Sequence, residues 1–209
     1  ALPIHKLQKD GILWKEVLID VNPSDKNKFS FVLSRNETPI ARLYSPLLTN
    51  EKRTHVEVSP ESDLILKHIA IRLEEYGGFG LIMDYGHVGE KEDTFRAFKN
   101  HQLHDPLSNP GTADLTADVD FSNVKRQLEN DDRLITFGPV EQGIFLNEME
   151  AETRLNFLLE NCEESEKENL KLGLDLLTNP DKMGSRFKFL SMFPAVLKDH
   201  LTKFPVNGF

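Results

Sequence analysis

The sequence predicts an α/β protein, and three observations carry that expectation. A strong helix signal over residues 59–76 is followed at once by Gly77-Gly78 and a short apolar run, Phe79 to Met83. A run that apolar, without polar alternation, suits a strand covered on both faces, as in a parallel sheet. Helix and strand signals then alternate as far as residue 193, while two β-rich stretches near the start read as a separate hairpin.

The hairpin comes first. Ile12 to Val21 (ILWKEVLIDV) and Phe29 to Leu33 (FSFVL) are rich in strand formers, and Asn22-Pro23-Ser24-Asp25-Lys26-Asn27 between them supplies turn residues. Arg35 to Thr54, with Pro39 and Pro46, reads as irregular. Ser59-Pro60-Glu61 opens a helix: serine accepts from the orphan N–H groups, proline suits the first helical position, and Glu61 and Asp63 favour the dipole. Ile65, Ile69, Leu73 and Tyr76 follow at helical spacing, and Gly77-Gly78 ends the helix with positive φ. Thr94 to Leu103 (TFRAFKNHQL) is expected as one strand, broken by Asp105-Pro106 and Asn109-Pro110-Gly111. Asp118 or Asp120 caps a helix with the face Phe121, Val124 and Leu128. Leu134 to Phe137 is a short strand ended by Gly138-Pro139. A helix from about Glu141 carries Phe145, Met149, Leu155 and Leu158-Leu159, with a break expected between Met149 and Glu152. The acidic stretch Glu163 to Glu168 starts another helix that stops at Asn179-Pro180, and Arg186 to Met192 (RFKFLSM) is the last strand. The tail from Pro194 shows little pattern.

Hydrophobic residues at 39% and charged residues at 28% permit an ordinary packed core. The net charge of −9 gives no support to nucleic-acid binding, which leaves a basic footprint, and suits a partner carrying arginine or lysine. Cys162 is the only cysteine and lies in an acidic stretch, so no internal disulfide forms and a reactive thiolate is disfavoured. No run is long and apolar enough for a membrane-spanning helix. The chain opens on Ala1-Leu2-Pro3 without an initiator Met, which suggests a piece of a longer chain.

In open α/β sheets ligands bind at the carboxyl ends of strands, which directs attention to Asp84-Tyr85-Gly86-His87. Asp84 there can hold a hydroxyl, an amine or a guanidinium, or else cap the turn at Gly86. Asp114, Thr116, Asp118 and Asp120 alternate; in an extended segment they line one side and can recognise a guanidinium, whereas the structural reading is helix capping. His101, His104 and Asp105 form an H-x-x-H-D set whose strand-and-loop context favours a hydrogen-bonded network over a metal site, so no metal is expected. Gly77-Gly78-Phe79-Gly80 precedes a strand, whereas a phosphate or dinucleotide loop follows one.

Four segments in order then resemble a known family: LIMDYGH (81–87), DTFRAFKNHQLHDPLSNPGTADLTADVDF (93–121), GPVEQGIFL (138–146) and MGSRFKFLSMFP (183–194), with the opening ALPIHKLQK alongside. The chain resembles the carboxyl-terminal half of the mitochondrial complex I assembly factors of the protein-arginine methyltransferase type, the MidA family. The resemblance implies the carboxyl-terminal part of a Rossmann-like, seven-strand fold with an added β-hairpin at 12–33 and core elements over 59–193. It implies S-adenosylmethionine as cofactor, a mitochondrial matrix location, and symmetric dimethylation of an arginine on a complex I core subunit, with a homodimer left open. The family's cofactor loop is expected before Ala1. What maps onto this chain is the strand end at Asp84, Tyr85, Gly86 and His87 and the loop bearing Asp105, Pro106, Asp114, Leu115, Thr116 and Asp120, as substrate-pocket candidates. A non-catalytic scaffold in complex I assembly is the alternative.

Overall fold

A computed structural model describes residues 3–130 and 132–209. In chain order the elements are β1 (His5–Asp10), β2 (Leu13–Val21), β3 (Phe29–Leu33), α1 (Pro39–Tyr44), β4 (His55–Val58), α2 (Pro60–Tyr76), β5 (Gly80–His87), β6 (Arg96–Lys99), β7 (Gln102–His104), β8 (Asp114–Thr116) and β9 (Val119–Asp120). They continue with α3 (Phe121–Glu129), β10 (Leu134–Glu141), α4 (Gln142–Glu148), α5 (Ala151–Glu160), α6 (Glu164–Thr178), β11 (Phe187–Pro194) and α7 (Lys198–Lys203). The chain divides into two compact units: residues 1–62 with 90–118, and residues 63–89 with 119–209.

The first unit is built on an antiparallel sheet in the order β3-β2-β1-β4. Leu7, Trp14 and Val56 point from one face of it onto Ala41 and Tyr44, which brings α1 down as a lid over a small core. Thr38 caps α1 by accepting from the Ala41 N–H at 3.2 Å, and Pro39 takes the first turn. Glu16, nearly buried on that face, bonds to His5 Nδ1 at 2.6 Å and accepts from the Thr38 hydroxyl at 2.5 Å. Segment 90–118 contributes a second, three-stranded antiparallel sheet, β7-β6-β8. Carboxylates fasten it to β4. Glu57 accepts from the Thr94 and Phe95 N–H groups at 3.1 and 2.9 Å, and Glu92 accepts from the Thr54 N–H at 3.1 Å and its hydroxyl at 2.7 Å.

Two expectations are corrected in this unit. Arg35 to Thr54 is not wholly irregular, because it holds α1 and a short 3-10 turn, Ser45–Leu48. TFRAFKNHQL is not one strand but the hairpin β6–β7, which reverses at Asn100 and His101 with φ of 51° and 61°. Two successive left-handed residues are the signature of a primed hairpin turn, and asparagine and histidine are among the few side chains that tolerate that region.

The second unit holds a sheet in the order β10-β11-β5-β9. The even-numbered side chains Ile82, Leu190, Met192 and Leu134 meet Leu66 and Ala70 of α2 and Phe121, Val124 and Leu128 of α3 in one core. On the opposite face Phe145 of α4 stacks on Phe189 at 4.2 Å, and Phe209 meets Phe145 at 5.4 Å. The expectation of a strand covered on both faces is overturned for β5. Its odd-numbered side chains point away from α2 and α3, leaving Leu81 39% and Met83 57% exposed. The parallel arrangement is also limited: only β5 and β9 pair in parallel, whereas β11 runs antiparallel between β5 and β10. Strand β10 does not stop at Gly138-Pro139; it passes through a cis peptide there and a shift in register between Phe137 and Val140. The tail from Pro194 is ordered as a 3-10 turn and α7.

Two glycines explain two of the motifs. A Cβ on Gly143 would lie 2.3 Å from the Thr178 carbonyl oxygen, and one on Gly184 would lie 2.2 Å from the same atom. The EQG and MGS segments therefore converge on the carboxyl end of α6, and the Gln142 side-chain amide donates to the Leu177 carbonyl at 2.8 Å alongside them.

Candidate functional site

Strand β5 delivers Asp84, Tyr85, Gly86 and His87 to the carboxyl edge of the sheet in the second unit. Gly86 is forced by packing: a Cβ there would sit 2.3 Å from the Val119 carbonyl oxygen and 2.7 Å from the Phe121 ring. That contact lets β9 run parallel to β5, with Gly86 beside Val119 and His87 beside Asp120. His87 is buried, and its Nδ1 accepts from the Gly89 N–H at 3.0 Å, which leaves the ring proton on Nε2. Asp120 caps α3, accepting from the Ser122 and Asn123 N–H groups at 3.0 and 3.3 Å and from the Ser122 hydroxyl at 2.5 Å. Tyr85 packs edge-on against Phe187 with ring centres 5.5 Å apart.

Asp84 accepts from the Tyr85 N–H at 2.8 Å and stands in register with Lys188 of β11, which in turn stands in register with Glu141 of β10. Asp84, Lys188 and Glu141 therefore form a transverse row on one face of the sheet. Glu141 is the last residue of β10, Asp84 stands three residues before the end of β5, and the lysine lies between them. Lys188 is 11% exposed at its side chain and reaches Glu141 at 3.1 Å and the Ser185 carbonyl at 2.5 Å. Sequence reasoning missed Lys188 and Glu141. The signal was the strand alternation of RFKFLS, which sets Lys188 opposite its apolar neighbours.

The other candidates lie in the first unit and are engaged one by one. Asp105 closes a turn by accepting from the Leu107 N–H at 3.0 Å and the Ser108 hydroxyl at 2.7 Å, and these bonds hold its carboxyl below the usual carboxylate range. Asp114 begins β8 and is exposed, while Thr116 is buried opposite Arg96. Asp118 is tied to Lys91 at 2.6 Å and Arg96 at 2.7 Å. Burial pushes its carboxyl up, but the two cations outweigh that and hold it low. His101 occupies the β6–β7 turn and His104 ends β7. Among the described residues no three His, Cys, Asp or Glu side chains are grouped to hold a metal ion.

The glycines of the β5 end do not fit a cofactor cradle. The space beside Gly86 is filled by Val119 and Phe121, and a Cβ on Gly89 would meet the Ser122 hydroxyl at 3.0 Å. This edge is packed by its own chain and offers carboxylates, a lysine and a tyrosine, the equipment for binding a polar side chain.

Residues 1–140 match the model of a family described as "Putative S-adenosyl-L-methionine-dependent methyltransferase". The chain belongs to this methyltransferase family. It is 52% identical over 212 residues to the mitochondrial protein arginine methyltransferase NDUFAF7 homolog of Drosophila melanogaster, an alignment covering 100% of this chain and 48% of that protein. It is 43% identical over 195 residues to mitochondrial protein arginine methyltransferase NDUFAF7 of Homo sapiens, covering 93% of this chain and 43% of that protein. The chain thus spans about half the length of the curated relatives it matches. The fold matches the crystal structure of a COG1565 superfamily member from Burkholderia thailandensis bound to S-adenosyl-homocysteine, with a TM-score of 0.75 at 18% identity, over 94% of this chain and 51% of that one.

Proposed function

We propose that this chain is the carboxyl-terminal part of an S-adenosylmethionine-dependent protein-arginine N-methyltransferase and forms the substrate side of its site. The reading rests on one observation above the rest: the alignment to proteins named protein arginine methyltransferases runs the whole length of the chain at 52% identity in the fly protein. In this reading the protein acts in the mitochondrial matrix as a homodimer and symmetrically dimethylates an arginine on a complex I core subunit. The S-adenosylmethionine is held by the half of the full-length protein that this chain does not span.

The strand-end row gives the reading its chemistry. A guanidinium offers parallel N–H donors in a rigid fork, and a carboxylate accepts two of them at once. Asp84 and Glu141 on either side of Lys188 suit that task, and the Lys188 ammonium bonded to Glu141 fixes that carboxylate. Orienting one guanidine nitrogen toward the methyl donor supplies much of the rate, because in-line displacement depends on alignment. In full-length protein, Asp84→Asn is expected to lower kcat/KM for methyl transfer to a protein arginine by roughly 100-fold, with the melting temperature nearly unchanged. An unaltered rate would remove Asp84 from the pocket.

The packed glycines at the end of β5 favour one competing reading, a non-catalytic scaffold in complex I assembly. Calorimetry with S-adenosylmethionine separates the two: absence of binding by the full-length protein supports the scaffold.

A further inference from the structure

A cavity of about 510 Å³ lies in the second unit along the outer flank of α3. Ser122, Lys125, Arg126 and Glu129 line it from the helix, at the spacing of three and four residues that shares one helix face. Val88 and Pro139 add apolar surface. The cavity is tied to the strand-end row by its position. Val88 directly follows the last residue of β5, Ser122 stands in the first turn of α3, and Pro139 precedes Glu141 by two residues. Asp84 and Lys188 alternate with Ile82 and Leu190, which pack into the core that α3 covers. The row and the cavity therefore share one face and one edge of the sheet.

Charge sets the cavity apart from the rest of the chain. The net charge is −9, yet the lining sets two cations against one carboxylate. Lys125 donates to the Gly138 carbonyl, a neutral partner, at 3.1 Å, and lies 3.8 Å from Glu129. Glu129 itself accepts from the Thr136 hydroxyl. Arg126 donates to the Asn123 amide oxygen at 2.5 Å, and among the described residues no carboxylate stands within ion-pair distance of it. The Ser122 hydroxyl is turned to Asp120, whose carboxylate is engaged in capping α3. A guanidinium carries a fork of parallel donors, so the single bond to Asn123 leaves Arg126 equipped to grip a carboxylate. Val88, 51% exposed, and Pro139 suit the methylene stem of the side chain that would carry it.

We infer that this cavity takes an acidic side chain of the polypeptide whose arginine is held at the strand-end row, and so selects among arginines by what flanks them. The inference rests on the methyltransferase reading above, which brings that polypeptide to this edge. Place and charge together name the occupant. An arginine bound between Asp84 and Glu141 carries its neighbours along the same edge of the sheet. Of those neighbours, an acidic one meets opposite charge at Lys125 and Arg126. A basic one meets like charge, and the same pair of residues rejects it. The acidic surface elsewhere draws the arginine in, and the cavity adds the discrimination that a general attraction lacks.

Arginine peptides that differ in one flanking residue test this on the full-length protein, with binding read by fluorescence anisotropy. Glutamate, glutamine or lysine is placed at each neighbouring position in turn. At one position glutamate is expected to bind about tenfold more tightly than glutamine, with lysine weaker than either. Arg126→Glu is expected to reverse that order in favour of lysine, and Arg126→Lys, which keeps the charge, to retain the preference for glutamate. Arg126→Gln covers the case in which Arg126→Glu does not fold: it keeps an amide donor for Asn123 and is expected to abolish the preference. Equal binding of the three peptides at every position overturns the proposal, as does a glutamate preference that survives Arg126→Glu or Arg126→Gln. Binding of inorganic phosphate with no preference among the peptides overturns it too. Methyl transfer from S-adenosylmethionine to the same peptides is followed in parallel. Transfer without a glutamate preference overturns the role of the cavity and leaves the methyltransferase reading standing. A glutamate preference without transfer supports the cavity and removes that reading.

Discussion

At the scale of single residues, the strand end at Asp84 to His87 shows how one short motif combines packing with chemistry. Gly86 has a packing role, since the Val119 carbonyl and the Phe121 ring occupy the place of a side chain. Gly86→Ala is expected to destabilise the protein by about 3 kcal/mol, measured by urea denaturation, because no movement of a flexible side chain relieves a backbone carbonyl. Asp120 permits a finer separation. Asp120→Ala should cost about 1 kcal/mol through the lost cap, while Asp120→Asn, which still accepts from both N–H groups, should cost almost nothing. Loss of methylation in Asp120→Asn at unchanged stability would add a substrate role to the capping one. The DYGH motif was legible as lying near a strand's carboxyl end, but the strand does not close at Met83 as expected: pairing with β11 and β9 carries it on through His87. The row with Lys188 and Glu141 was not legible, because those three residues are distant in the chain and only the register of β11 brings them together.

At the scale of elements, helices with strong caps and turns with glycine or proline were readable: α2 between Ser59-Pro60 and Gly77, and α6 up to Asn179-Pro180. The break between α4 and α5 also falls where expected, at Glu150, which adopts φ of 61°. Elements that depend on distant partners were not readable. Strand β4 shows no strong signal of its own and exists through its pairing with β1, and the β6–β7 reversal uses Asn-His in place of the commoner Asn-Gly. The attachment of segment 90–118 by carboxylates makes its stability depend on pH. Bonds from the Thr54 hydroxyl and then the Thr54 N–H carry the Glu92 carboxyl down to about 2 from the ordinary 4.5 of a glutamate. A carboxylate depressed in the folded state stabilises it above the ordinary pKa, and that contribution is lost as pH falls through the depressed value. Trp14, the only tryptophan and 3% exposed, reports on this unit. Its fluorescence is expected to shift between about pH 4.5 and about pH 2, and Glu92→Gln should bring part of that change forward to neutral pH.

At the scale of the whole molecule, the α/β class and the methyltransferase family were legible from a handful of motifs, while the coverage of the sheet was not. An apolar run reports that a strand is made of apolar residues and leaves open which of its faces is covered, as Leu81 and Met83 demonstrate. Under the proposed function this chain should show no heat of binding with S-adenosylmethionine, whereas the full-length protein should bind it. Binding by the isolated chain would place the cofactor among the residues described above. The strand order has a further consequence, for synthesis of the chain. Leu81 pairs with Ser191 and Met83 with Phe189, so β5 emerges from the ribosome roughly a hundred residues before the strand that bridges it to β10. The first unit is likewise completed only after residue 118, since residues 63–89 intervene. Neither unit can close while its own sequence is being made, and contacts this distant fold slowly and leave apolar edges waiting. A chain truncated before Phe187 lacks the middle of its sheet, so the presence of β11 is the condition for the second unit to fold at all.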